Sequence, residues 1–166
     1  EGNLADQAVD LLLEMLNGGN LAVQTEVINY IKFSDRDNKF LAHIFRRIEA
    51  SVVSIVERKE LVALEFKHMT EEHRVAYENC AQTFLIVQML CEGHNLDGQD
   101  IIRTQPDHSG SINIVEASTE VLMLLCDSAA ALRKMEEAEV ELVCLNIDVL
   151  IEALQGPCPG NQEFLA

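Results

Sequence analysis

Tryptophan is absent from the 166 residues, proline occurs three times and aromatic residues make up only 5%. That argues against a β-sandwich, whose strands draw on aromatic side chains, and the prevailing Leu, Val, Ala and Glu lean towards helices. Basic residues are also scarce: 12 Lys and Arg stand against 28 Asp and Glu, for a formal charge of −16. A surface that tracks nucleic-acid phosphates is excluded by that balance, and cations are the better-matched partners. Long apolar runs are missing too. The longest uncharged stretch, Asn79 to Cys91, is closed by Glu78 and Glu92. It falls short of the ~18–20 residues a bilayer span requires, so no membrane contact is expected. Cys80, Cys91, Cys126, Cys144 and Cys158 are odd in number and scattered, without a Cys-x-x-Cys pair. They read as buried thiols of a reducing compartment, not as a disulfide frame or a zinc site.

Signatures of catalysis are likewise lacking. The sequence has no Gly-rich phosphate loop, no Gly-x-Ser-x-Gly elbow and no His-Glu-x-x-His; Glu71-Glu72-His73 has no second His at helical spacing. His43, His68 and His108 stand alone, and Cys91 near Glu92 and His94 reads as packing, not as a thiol nucleophile. No enzyme is expected.

What is present is a 48% apolar content arranged with helical periodicity, sufficient for one real core. Leu4, Ala8, Leu11 and Leu12, then Val23, Val27 and Ile31, then Phe40, Ile44, Ile48, Val52 and Ile55 each lay an apolar stripe along a helix. Asn38 and Thr70 read as N-caps with one long helix or two between them. Further helices are expected over 71–91, 96–104, 112–134 and 136–154, the last ended by Gly156-Pro157, for roughly seven helices and no strand. Pro106-Asp107-His108-Ser109-Gly110 reads as an exposed turn. The sequence opens on Glu1 without an initiator Met and stops at Phe164-Leu165-Ala166 in what reads as a new helix, as a piece of something longer would.

An internal echo decides the architecture. Leu11-Leu12-Leu13-Glu14-Met15-Leu16-Asn17-Gly18-Gly19-Asn20, followed by Gln24, resembles Leu85 to Asn95, followed by Gln99; a looser copy runs from Leu150 through Gly160-Asn161-Gln162. In the first two copies an apolar helix stops on Gly, an Asn caps the next helix and a Gln follows four residues on; Asn161 is read as the third cap. Helix units that recur in this way, none able to bury its stripe alone, stack into an all-α, armadillo-like α-solenoid in preference to a plain bundle. Residues 1–166 are expected to be one such segment.

Two acids occupy unfavourable positions. Glu92 falls at the carboxyl end of its expected helix, just before Gly93, and Glu152 in the last turn before Gly156. Helix C-termini carry partial negative charge and unpaired carbonyls, so a carboxylate there invites a cation, and carboxylate and carbonyl oxygens are the hard ligands calcium takes. In the first copy the slot of Glu92 holds the neutral Asn17, and His94 stands where Gly19 stood.

The blocks Cys91-Glu92-Gly93-His94-Asn95, Arg103-Thr104-Gln105 and Glu152 to Gln162 resemble the signature blocks of the intracellular calcium-release channels, the ryanodine and inositol trisphosphate receptors, with Glu-Gly-His-Asn and Arg-Thr-Gln nearer the ryanodine branch. The resemblance covers residues 84–166 and is to the homology-associated domain of the cytosolic solenoid. It implies an activating calcium site with Glu92 and Glu152 as metal ligands and His94 and Gln155 beside them, completed by a carboxyl-terminal domain of the channel. It also implies a homotetrameric channel and a location on the cytosolic face of the endoplasmic or sarcoplasmic reticulum. The other reading is an armadillo-like protein-interaction scaffold without channel activity.

Overall fold

The computed structural model describes residues 4–66 and 68–166, with the side chains of 5 and 6 left aside. Among the described residues there is no strand, and the helices are α1 (Leu4–Leu16), α2 (Leu21–Asn29), a π-helical turn (Tyr30–Ser34), α3 (Lys39–Ala63), α4 (Glu71–Cys91), α5 (Leu96–Ile101), α6 (Ile114–Leu125), α7 (Ala129–Leu132), α8 (Glu137–Leu154) and α9 (Pro159–Leu165). None of these helices is long and apolar enough to cross a membrane.

The helices repeat in threes. A short helix is followed by two long ones, α2–α3–α4 and then α5–α6–α8, and α9 takes the place of the next short helix. Long helices stack in two layers. In one, α4 lies between α1 and α8; in the other, α3 packs against α4 and α6, and α6 reaches α8. Short, long, long with nearest-neighbour stacking is the all-α, armadillo-like solenoid expected from the internal echo.

Burial follows position in the stack. On α3 the stripe Leu41, Ile44, Ile48 and Ile55 is buried, as helical spacing requires of a helix with one covered face. The central α4 is buried on several faces, through Tyr77, Cys80, Phe84, Ile86, Val87, Leu90 and Cys91. At about 1.5–3 kcal/mol for each large side chain removed from water, this helix anchors the core. Arg58 continues the α3 stripe beyond Ile55 and is itself 0% exposed. Its guanidinium donates to the Phe66 carbonyl at 3.1 Å and pairs with Glu136 at 3.1 Å and Glu139 at 3.8 Å, fastening the end of α3 to the start of α8.

Several expected boundaries shift, each for a local reason. Thr70 does cap α4, its hydroxyl accepting from the His73 amide at 3.2 Å. Asn38 precedes α3 but does not cap it: it is left-handed (φ 55°), and Asp35 accepts from the Lys39 and Phe40 amides at 3.0 and 2.7 Å instead. The single helix expected over 112–134 is broken at Asp127-Ser128. There Ser128 caps α7, and Lys59 holds the end of α6 through the Leu124 carbonyl at 2.8 Å and the Asp127 carboxylate. Asn161 is not a cap but lies buried within α9. Nor are all five thiols buried: Cys144 is exposed on α8 and Cys126 is partly so.

Candidate functional site

Three helix ends of the same construction stand in a row. After α1 the chain turns through Gly18 and Gly19 (φ 74° and 68°) to Asn20, which caps α2. After α4 it turns through Gly93 and His94 (φ 76° and 59°) to Asn95, which caps α5 by accepting from the Gly98 amide at 3.2 Å. After α8 it turns through Gly156 (φ 71°) to Cys158, the residue before α9. A left-handed residue just past each helix is the conformation that glycine adopts without strain. His94 takes it with a side chain, and its ring packs over Gly156, 3.6 Å from where a Cβ would stand. The third copy is thus anchored on Gly156 and Cys158, with Gln162 four residues on, and not on Gly160-Asn161.

A glutamine links each end to the next. The last carbonyls of a helix have no partner within it. Gln24, four residues past the cap Asn20, donates its amide to the Met89 carbonyl at 2.6 Å and the Glu92 carbonyl at 3.3 Å, closing the end of α4. Gln99, four residues past the cap Asn95, does the same for α8 through the Glu152 carbonyl at 2.7 Å and the Gln155 carbonyl at 2.9 Å. Asn95 donates back to Gln24 at 3.2 Å, so cap and clamp form one connected run. The third glutamine, Gln162, folds onto the Leu154 and Gly156 carbonyls at the end of the helix just before it. Beside the third turn Asn161 donates to the Gln99 and Ala153 carbonyls at 3.0 and 2.8 Å and accepts from Arg103 at 2.7 Å. Arg103 also pairs with Asp100 at 3.1 Å, which identifies it as an internal ion-pair partner. The recurring Asn-x-x-x-Gln spacing was the visible trace of this ladder, although the role of the glutamines was not legible in it.

The four residues singled out in the sequence sit on two adjacent rungs. Glu92 is the residue that ends α4; its backbone is held by Gln24, and its carboxylate is exposed and turned over Gly19, an oxygen 3.2 Å from where a Cβ would stand there. Glu152 lies in the last turn of α8, its backbone held by Gln99. One of its oxygens, Oε1, accepts from Gln155 at 3.3 Å, while Oε2 is buried and without a hydrogen-bond partner. Burial, with a smaller contribution from the Glu152 charge, pushes the Cys91 thiol at the end of α4 up from its ordinary range. The packing of His94 over Gly156 brings the two helix ends together. The Glu92 carboxylate turns towards the α1 turn while Glu152 bonds Gln155 of its own helix end, and among the described residues no three His, Cys, Asp or Glu side chains form a ready-made metal cluster.

The thiols around this region yield a chemical expectation. Burial pushes Cys80 up to about 11, against the opposing hydrogen bond to Ser51 and the Arg47 charge, and it pushes Cys91 up further. A raised thiol carries little thiolate at neutral pH and reacts slowly. Brief exposure of the native chain to iodoacetamide at neutral pH should therefore label Cys144 first, with Cys80, Cys91 and Cys158 labelled only on unfolding. Peptide mass spectrometry reads this directly, and early label on Cys91 would contradict the packing of the α4 end.

Comparison with known proteins places these residues in a wider group. The family described as RyR and IP3R Homology associated matches residues 75–166, from the first third of α4 through α9. The inositol 1,4,5-trisphosphate receptor itr-1 of Caenorhabditis elegans is 31% identical over 85 residues, which are 49% of this chain and 3% of that receptor. The chain thus corresponds to a small part of the relative it matches.

Proposed function

Because the chain belongs to the RyR and IP3R Homology associated family, we propose that it is a cytosolic solenoid segment of a tetrameric intracellular calcium-release channel, in which Glu92 and Glu152 supply part of an activating calcium site. The observation that carries this reading is the buried, unpartnered Oε2 of Glu152 at the junction of the α4 and α8 ends. A buried carboxylate oxygen without a partner costs free energy, and a divalent cation offsets that cost while supplying the multi-oxygen bridge for which calcium is suited. The donors present are of the kind the ion takes: carboxylate oxygens on adjacent helix ends, whose backbone carbonyls are held by glutamines. His94 and Gln155 flank the pair, Gln155 by its hydrogen bond to Glu152 Oε1.

The set is incomplete in this segment, and incompleteness is useful in a switch. Two carboxylates that need a further oxygen from a carboxyl-terminal domain of the channel bind best in the arrangement that brings that oxygen within reach. The difference in affinity between arrangements is the only free energy a ligand can contribute to gating. Glu92 and the α1 turn, Glu152 and the α4 end, are coupled through the glutamine ladder, so movement at one rung is felt at the next.

The expected result for the isolated chain is weak calcium binding by calorimetry, further reduced in Glu152→Gln. Tight, specific binding by these 166 residues alone would contradict a site shared with another domain. In the full-length channel, Glu92→Gln and Glu152→Gln should each raise the calcium concentration needed for opening.

A further inference from the structure

The break between α6 and α8 leaves a space behind it. α7 is built from Ala129-Ala130-Ala131-Leu132, yet none of its residues is buried, so an apolar turn of helix stands over the core without filling it. Beneath it is a cavity of about 220 Å³, walled by Val62 and Ala63 at the end of α3, Leu125 at the end of α6, Ala130, Ala131 and Met135. Both sides of this cavity belong to the chain: α3 is part of the first short-long-long unit, and α6 to α8 are part of the second. Two features fix the space. Ser128 caps α7 by accepting from the Ala131 amide at 3.1 Å while Lys59 holds the Leu124 carbonyl, which sets the break in place, and the alanines of α7 carry no side chain long enough to reach the floor.

The charges around the cavity select its ligand. Lys59 is paired with Asp127, and Glu139 with Arg58. Lys134 also lines the space, and its ammonium makes no hydrogen bond or ion pair among the described residues. Glu65, which shares a neighbouring cavity with Lys134, makes no ion pair with it. The uncommitted charge of the cavity is therefore positive, in a chain whose formal charge is −16. We infer that the space under α7 binds a small organic anion, an aryl or alkyl carboxylate whose apolar body lies against Val62, Leu125 and Ala131 and whose carboxylate meets Lys134. Size follows by scale: an apolar cavity of about 150 Å³ takes benzene, so this one takes a body of about nine heavy atoms, a phenyl ring with a short stem. The body replaces a void by contact, and the ammonium prefers an anion to a cation at the mouth. Bound there, the ligand ties α3 of one unit to α7 of the next, at the opposite end of α8 from Glu152.

Three probes of one shape test this. Phenylacetate, 2-phenylethanol and 2-phenylethylammonium share the apolar body and differ in the charge of the head, and each is titrated into the isotopically labelled chain at physiological salt while the amide resonances are followed. Phenylacetate should shift the amides of Ala63, Leu125, Ala130, Ala131 and Met135 along one saturating curve. The alcohol should shift the same set with about fivefold weaker affinity, and the ammonium should bind more weakly still. Lys134→Gln, a change at an exposed position, should remove the preference for phenylacetate over the alcohol and leave the affinity of the alcohol as it was. Ala131→Leu, which fills the space, should abolish binding of all three, and a thermal midpoint no lower than that of the native chain verifies that it folds. Shifts that scatter over the surface or do not saturate overturn the inference. So does equal binding of phenylacetate and 2-phenylethylammonium, or a Lys134→Gln chain that keeps the preference for the carboxylate.

Discussion

Arg58→Met is expected to cost about 3–5 kcal/mol of folding stability, the range for removing one partner of a buried charge pair. The side chain is fully buried, its guanidinium joins three elements, and Glu139, 7% exposed, would be left with an uncompensated charge. The loss spreads beyond the pair. Glu136 accepts from Arg58 and from the Met69 amide at 2.9 Å, and Glu139 accepts from the Glu136 amide at 2.7 Å in the box that starts α8. Without the guanidinium, the start of α8 and the loop after α3 lose their common anchor. Urea unfolding of Arg58→Met should show the midpoint falling sharply, and Glu139→Gln added to Arg58→Met should recover part of the loss, since the stranded charge is then gone. A single variant as stable as the native chain would mean that the pair contributes nothing net, as some buried ion pairs do.

Gly98→Ala is the second large effect, and it tests the ladder. Alanine gains about 1 kcal/mol over glycine in helix propensity, so an exposed site would be stabilised. Here the added Cβ would stand 2.1 Å from the Leu90 carbonyl oxygen, a backbone atom at the end of α4 that cannot swing aside. α5 must withdraw instead, and with it Gln99, the next residue, whose amide closes the end of α8. Overpacking plus two uncovered carbonyls should outweigh the propensity gain and cost about 3 kcal/mol net. Gly110→Ala serves as the control, because a Cβ there meets nothing within 4 Å. Hydrogen exchange should quicken at the end of α8 in Gly98→Ala and not in Gly110→Ala. Equal stability of the two variants would argue against close contact between α5 and α4.

The parts of this architecture legible in one dimension are those set by neighbours in sequence. Apolar spacing marked α3, α4 and α8, the Thr70 hydroxyl marked a start, and Gly93 and Gly156 marked two ends, because periodicity, capping and left-handed turns all act within a few residues. Glu92 and Glu152 stood out for the same reason, as charges of the wrong sign at helix ends. What escaped depends on distant partners. The break in the helix expected over 112–134 is held by Lys59 from another helix, and the cap expected of Asn38 passes to Asp35 while Asn38 turns its amide towards Gln105 at 3.3 Å and the Gly110 carbonyl. Arg58 interrupts an apolar stripe, a visible signal, but its acids come from the far side of the fold. The glutamines were visible as a recurrence, yet the carbonyls that give Gln24 and Gln99 their role lie at the end of a long helix distant in sequence.

If the ends of α4 and α8 present Glu92 and Glu152 to one divalent cation, paramagnetic line broadening by manganese added to the isotopically labelled chain will report it. Side-chain carboxyl resonances of Glu92 and Glu152 should broaden together at low manganese occupancy, ahead of every other acid, and both should sharpen again as calcium displaces the metal. Broadening that spreads evenly over surface acids such as Glu137, Glu141 and Asp148, or that reaches one of the two glutamates while sparing the other, would contradict it.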